Sequence, residues 1–129
     1  MLTIAIDFDG TLCEHEYPNI GAEVPGAFKW LRHFEREGAR LMLWTMRSGR
    51  PLEEAVAWCL DRDIAFWGVN ENPEQHTWTD SKKQYAHLYI DDAAAGCPLK
   101  RVNTGRPFVD WAKAGPMVMD TIKRIKGGA

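Results

Sequence analysis

Residues 2–12 read Leu-Thr-Ile-Ala-Ile-Asp-Phe-Asp-Gly-Thr-Leu, an apolar run that ends in two carboxylates followed by glycine and threonine. Successive side chains of a β-strand point to opposite faces, so Asp7 and Asp9 point to the same side and Phe8 to the other. Two like charges at this separation repel, and each raises the pKa of the other unless a cation lies between them. The stretch therefore predicts a buried strand that ends in a metal site, an acid–base site or both.

Strand and helix patterns alternate along the rest of the chain. The predicted elements are strands at 2–8, 39–45, 64–69 and 86–90 and helices at 25–38, 51–60 and 116–126. Such alternation favours a Rossmann-like α/β fold, a parallel sheet with helices on both faces. A further short strand is predicted at 99–102 and a helical turn at 107–112. Because the chain has 129 residues and no repeat or linker, residues 1–129 are predicted to form one domain.

Composition limits the partners and the compartment. The net charge of −2 gives no reason to expect attraction to nucleic acid or to a membrane. The three cysteines form no Cys-x-x-Cys pair, which favours free thiols in a reducing cytosol. The amino-terminal apolar run stops at Asp7, too early for a signal peptide or a membrane span. A soluble, cytoplasmic protein is therefore expected.

Polar side chains also follow two other predicted strands. Thr45 ends the second strand, and Asp91 and Asp92 follow the fourth. The carboxyl ends of parallel strands meet at one edge of a sheet, where open α/β folds bind ligands. These groups are therefore expected to converge with Asp7.

Two adjacent lysines, Lys82 and Lys83, precede the fourth strand and offer a positive charge to the same edge. A carboxylate that attacks phosphorus divides the hydrolysis of a phosphate ester into two displacements. Mg²⁺ prefers oxygen ligands and cancels the repulsion between carboxylates and phosphate, while a fixed lysine and hydroxyl stabilise the phosphoryl oxygens. The set predicts a phosphoryl-transfer site with Mg²⁺ as its cofactor.

Four motifs, in this order, resemble the haloacid dehalogenase superfamily of phosphohydrolases. They are Asp-Phe-Asp-Gly-Thr-Leu at 7–12, Leu-Trp-Thr at 43–45, Lys-Lys at 82–83 and Tyr-Ile-Asp-Asp at 89–92. The lysine motif is the loose one, and the resemblance covers residues 1–110. A receiver-like phosphoacceptor also uses acidic strand ends, Thr and Lys, but in a different order along the chain.

The resemblance implies a role for each matching residue. Asp7 would be the nucleophile and a metal ligand. Asp9 would protonate the leaving oxygen and later deprotonate water, with its backbone carbonyl on the metal. Asp91 would bind Mg²⁺ directly, and Asp92 directly or through water. The phosphate-binding residues would be Thr45, Lys83 in preference to Lys82, Gly10 and Arg47.

Arg47 and His15 have plainer interpretations than a role in the site. For Arg47, an ion pair with Glu53 or Glu54 is the alternative to a phosphate contact. A loop histidine is more often a surface residue than part of a site, and His15 is interpreted in that way.

Members of this superfamily usually carry a cap domain after the first motif or between the second and third. The segments 9–24 and 69–83 are too short for one, so a capless type is implied. The expected function is a Mg²⁺-dependent phosphomonoester hydrolase, a phosphatase acting on a sugar phosphate, a nucleotide or a phosphorylated macromolecule end. The alternative is a phosphate-binding or regulatory module with negligible turnover. An open site suits a bulky substrate, or a site completed by the second subunit of a homo-oligomer.

Overall fold

The computed structural model describes residues 1–102 and 105–127; residues 103, 104, 128 and 129 of the predicted domain lie outside it. Its centre is a sheet of parallel strands in the order β3-β2-β1-β4. The strands are β1 (Thr3–Ile6), β2 (Arg40–Leu43), β3 (Gly68–Val69) and β4 (Leu88–Ile90). The predicted parallel sheet flanked by helices is confirmed, although every strand is shorter than its apolar run.

The helices are α1 (Ala27–Arg36), α2 (Gly49–Leu60) and α3 (Trp111–Lys126). In α1 the buried side chains Ala27, Phe28, Leu31 and Phe34 recur at helical spacing and so form one apolar stripe. Within the described residues, no helix is both long and apolar enough to cross a membrane.

All of these helices pack on one face of the sheet, so the prediction of helices on both faces is wrong. Ile4, Ile6, Leu41 and Leu43 share a single core cluster with buried residues of α1, α2 and α3. Parallel connections are right-handed, and the chain steps in one direction from β1 to β3, so α1 and α2 fall on the same face.

The second face is covered by residues 70–87, called here the crossover segment. This connection runs back from β3 past β1 to β4, and the handedness rule therefore puts it on the opposite face. Its only helical element is one 3₁₀ turn at Gln75–Thr77. Beneath it a small cluster forms from Ala5, Met42 and Ala86.

Buried amides take the place of helical hydrogen bonds in the crossover segment. The side chain of Gln75 accepts from the Tyr85 N–H at 2.7 Å and donates to the Lys83 carbonyl at 2.7 Å. The Asn72 N–H donates to Gln84 Oε1 at 2.7 Å. A polar sequence that contains Pro73 lacks the apolar stripe of a helix, and these contacts hold it in an irregular path.

The carboxyl-terminal part differs from the prediction at two elements, β6 (Phe108–Val109) and α3. The strand β5 (Leu99–Lys100) pairs antiparallel with β6 (Phe108–Val109), where a helical turn was predicted. The helix α3 then begins at Trp111, earlier than the predicted start at Pro116. Trp111 is buried and its Nε1–H donates to the Thr11 carbonyl at 2.8 Å, which fixes the start of α3 against the loop after β1.

Candidate functional site

Three carboxylates follow strands β1 and β4, at the point where the strand order reverses. β2 lies on one side of β1 and β4 on the other, which makes the gap between β1 and β4 the switch point of the sheet. Asp7 follows β1 and its N–H donates to the Ile90 carbonyl at 2.9 Å, while Asp91 and Asp92 follow β4. Open α/β sheets bind ligands at this position.

One oxygen atom from each of Asp7, Asp91 and Asp92 lies within 4.8 Å of the other two. Each carboxylate also has an oxygen held by a donor of its own. Thr11 Oγ1–H donates to Asp7 Oδ2 at 2.9 Å, and the Ala93 N–H donates to Asp91 Oδ1 at 2.9 Å. Asp92 Oδ2 lies 2.9 Å from His15 Nε2.

The cluster is electrostatically unfavourable as long as it holds no cation. Burial, followed by the charge of Asp91, raises the pKa of Asp7 to about 8. Burial also raises the pKa of Asp91. Among residues 1–102 and 105–127, no lysine or arginine nitrogen lies within 4.0 Å of these carboxylates. Three converging carboxylate oxygens are the ligands that a hard divalent cation prefers, so the residues present fit Mg²⁺.

Thr45 lies at the same edge, just after β2. Its N–H donates to Asn70 Oδ1 at 2.8 Å, and its Oγ1 accepts from the Arg47 N–H at 3.1 Å. Ile6 and Leu43 are paired in the parallel register, so Thr45 and Asp7 leave neighbouring strands at nearly the same level. The predicted hydroxyl therefore leaves the sheet at the same edge as Asp7.

Neither predicted lysine contacts the carboxylates. Lys82 and Lys83 are both exposed on the crossover segment, and Lys83 Nζ lies 6.0 Å from the ring centroid of Tyr89. Tyr89 and Asp91 are two residues apart, as are Ala5 and Asp7, and Ala5 pairs with Tyr89. The four side chains therefore point to the same side of the sheet. By strand alternation, Lys83 is therefore on the side of the sheet to which Asp7 and Asp91 point.

Arg47 is not available to a substrate, which corrects both sequence-based interpretations of it. Its side chain is 1% exposed, and it donates to Asp9 through Nε and Nη2, each at 2.8 Å. The remaining N–H groups meet the carbonyls of Pro18, Asn19 and Pro51. A guanidinium has five N–H donors, and all of them have acceptors here. We therefore assign Arg47 to Asp9, and not to a phosphate or to Glu53 or Glu54.

Sequence reasoning missed His15. Its Nε2 lies 2.9 Å from Asp92 Oδ2, and its side chain is only 15% exposed. Gly10 makes this contact possible, because a Cβ there would overlap both the His15 ring and the Asp92 carboxylate. The residues are 77 positions apart, and no local pattern in the sequence indicates the contact.

The fold and this site define a class: an α/β protein with an acidic cluster at the switch point of a parallel sheet. A similar solved structure is that of a conserved protein coded by a locus from Bacteroides thetaiotaomicron. It is 40% identical with a TM-score of 0.77, and the match covers 93% of this chain and 91% of that chain. The chain belongs to the same family as this Bacteroides protein. No family model and no curated protein matches the chain.

Proposed function

We propose that the protein is a Mg²⁺-dependent phosphomonoester hydrolase of the haloacid dehalogenase superfamily that works through an aspartyl phosphate at Asp7. The observation that carries the proposal is the grouping of Asp7, Asp91 and Asp92 within 4.8 Å at the switch point of the sheet. The resemblance of the four sequence motifs supplies the chemistry, and the fold is compatible with it.

Asp7, Asp91 and Asp92 would hold the magnesium ion through their side chains, and Asp9 through its backbone carbonyl. When bound, Mg²⁺ offsets the negative charge of these carboxylates and of a phosphate group. The protein's own residues then provide the nucleophile, the proton transfers and the hydrogen bonds to the phosphoryl oxygens.

Asp7 is the nucleophile in this proposal. Thr11 fixes one of its oxygens, and the other forms a bond to phosphorus while the bond from phosphorus to the leaving oxygen breaks. Asp9 gives a proton to the leaving oxygen. In the second displacement Asp9 takes a proton from water, whose oxygen attacks phosphorus and releases phosphate and the Asp7 carboxylate.

Thr45 and a lysine complete the proposed site. The Thr45 hydroxyl, placed after β2, would donate to a phosphoryl oxygen. The Gly10 N–H already donates to the Cys13 carbonyl at 2.7 Å, so it is not offered to a phosphate as the sequence predicted. Lys83 reaches Asp7 and the phosphate only if its exposed side chain turns from Tyr89 toward the cluster. Positioning and charge neutralisation account for most of the catalysis in phosphoryl transfer, so these contacts matter.

The proposal includes a capless site and a cytoplasmic location. The segments around the site carry no inserted domain in the described residues: 9–26 is an irregular loop and 70–87 is the crossover segment. A site without a cap suits a sugar phosphate, a nucleotide or a phosphorylated macromolecule end. Cys13, Cys59 and Cys97 are free thiols, as expected in a reducing compartment.

The test is phosphate release from a panel of metabolite phosphates and from p-nitrophenyl phosphate, with Mg²⁺ and after chelation. We expect release that requires Mg²⁺ and that is lost in Asp7→Asn. Asp61→Asn, at an exposed position after α2, is the matched control and should retain wild-type turnover. Release that survives chelation or persists in Asp7→Asn would contradict the proposal.

A second candidate is a phosphate-binding module with negligible turnover. Two observations favour it: Arg47 occupies both oxygens of Asp9, and no lysine contacts Asp7 in the described residues. This candidate predicts binding of phosphate or a phosphate ester with Mg²⁺, but no release from any compound of the panel. Equilibrium binding measured beside the turnover assay separates the two functions.

A further inference from the structure

The contact between His15 and Asp92 joins the acidic cluster to a distant part of the loop after β1. His15 lies in residues 14–24, called here the flap, whereas Asp92 follows β4. A ring protonated at Nε2 donates to Asp92 Oδ2 across 2.9 Å. The contact holds Asp92 Oδ2 and so fixes the orientation of that carboxylate beside Asp7 and Asp91.

The backbone is built to allow this contact. Gly10 has φ +81°, and the space where its Cβ would lie is filled by the His15 ring and the Asp92 carboxylate. Any side chain at position 10 would push His15 away from Asp92. Two independent features, the hydrogen bond and the missing Cβ, therefore point to the same arrangement.

The flap is itself held in place, so His15 is presented to Asp92 from a defined position. The Glu14 N–H donates to the Ala22 carbonyl at 2.8 Å and closes the flap on itself. Arg47 donates to the carbonyls of Pro18 and Asn19 at the flap's tip. Movement of the flap would consequently move His15 and change the orientation of Asp92.

We propose that His15 is a positioning residue that orients Asp92 for the divalent cation and couples the flap to the occupancy of that site. The inference rests on the proposed function, because it takes the cluster to be a Mg²⁺ site. Residues that hydrogen-bond a metal ligand set its orientation, and their removal typically weakens metal affinity about 10–100-fold. His15 thereby acquires a role in cation binding without touching the cation.

The test is calorimetric Mg²⁺ binding to the full chain, with no substrate present. His15→Phe keeps a ring but removes the donor, whereas His15→Gln keeps a donor at about the same reach. His76→Phe, at an exposed position of the 3₁₀ turn, is the matched control. We expect affinity about 10–100-fold weaker in His15→Phe, near wild type in His15→Gln and unchanged in His76→Phe.

Hydrogen exchange of the flap amides gives a second readout. Mg²⁺ should slow exchange at residues 14–24 in the wild type and in His15→Gln, but not in His15→Phe. Unchanged affinity in His15→Phe overturns the inference, and so does an equal loss in His15→Phe and His15→Gln, which would indicate packing. A wild-type protein that binds no Mg²⁺ overturns the proposed function itself, which is a distinguishable result.

Discussion

Arg47 donates to both carboxylate oxygens of Asp9, each at 2.8 Å, from a side chain that is 1% exposed. The same guanidinium holds the tip of the flap through the carbonyls of Pro18 and Asn19. A carboxylate in such a bidentate ion pair is ionised and can only accept hydrogen bonds. For Asp9 to give a proton to a leaving group, one of its oxygens must therefore exchange its Arg47 contact for the substrate.

Removal of the Arg47 side chain should destabilise the protein strongly. Arg47→Met leaves Asp9 and two flap carbonyls without their donor, and loss of one partner of a buried pair typically costs about 3–5 kcal/mol. Arg50→Met removes an arginine whose side chain is 88% exposed and should change the unfolding free energy by less than about 0.5 kcal/mol. Urea unfolding measures both, and similar small changes would contradict the assignment of Arg47.

Gly10→Ala should cost more stability than a glycine substitution with the same backbone strain. Gly10 and Gly96 have φ +81° and +83°, but only Gly10 has atoms in the space of a Cβ. We expect about 1 kcal/mol of destabilisation in Gly96→Ala from the left-handed backbone alone, and about 1–3 kcal/mol more in Gly10→Ala from overlap with His15 and Asp92. Equal losses in thermal unfolding of the two variants would show that the contact at Gly10 is absent.

Cation binding should release a proton at neutral pH. Burial and the charge of Asp91 raise the pKa of Asp7 to about 8 in the metal-free protein, so Asp7 is largely protonated at pH 7 and Mg²⁺ must displace that proton. Calorimetry in buffers of different ionisation enthalpy should show about one proton released at pH 7 and markedly fewer at pH 9. Asp7→Asn should show none, and equal release at both pH values would contradict the raised pKa.

The same raised pKa sets the sign of a stability change. Between its ordinary value of 3.8 and about 8, Asp7 binds its proton more tightly in the folded than in the unfolded protein. The contribution of Asp7 to stability is therefore present below this range and is lost as the pH rises through it. Metal-free protein should therefore have a lower unfolding temperature at pH 8 than at pH 6. Asp7→Asn should reduce this difference in unfolding temperature. A difference of the same size in Asp7→Asn would exclude Asp7 as its source.

The cysteines should react unequally with a thiol reagent. Burial raises the pKa of both Cys13 and Cys59 to about 12, whereas Cys97 is partly exposed. Because the thiolate is the reactive form, native protein at pH 8 should lose at most the Cys97 thiol in minutes, and all three thiols in urea. Cys97→Ser should abolish the native reaction, and rapid labelling of Cys13 or Cys59 in native protein would contradict their burial.

The acidic cluster could be predicted from sequence because local patterns fix where β1 and β4 end. Strand ends in a parallel sheet converge by topology, so Asp7, Asp91 and Asp92 could be grouped without any knowledge of the loops. The local pattern did not predict the strand at Phe108–Val109, because a short apolar run next to a helix is compatible with either a strand or a helical turn. The sequence did not show that the crossover segment covers the second face.

The contacts of Arg47 and His15 could not be predicted in the same way. Arg47 meets Asp9 across 38 residues and His15 meets Asp92 across 77. Both depend on the path of the flap, which is set by tertiary contacts and not by periodicity. Lys83 is exposed on the crossover segment, and its approach to a phosphate depends on the bound substrate.

The most direct test of the central claim is to trap the acyl phosphate during turnover and locate it. Protein quenched with Mg²⁺ and a substrate found by the panel would be reduced with borohydride and mapped by mass spectrometry. The account predicts modification at Asp7, none in Asp7→Asn, and loss of turnover in that variant. Modification at another residue, or wild-type turnover in Asp7→Asn, would contradict it.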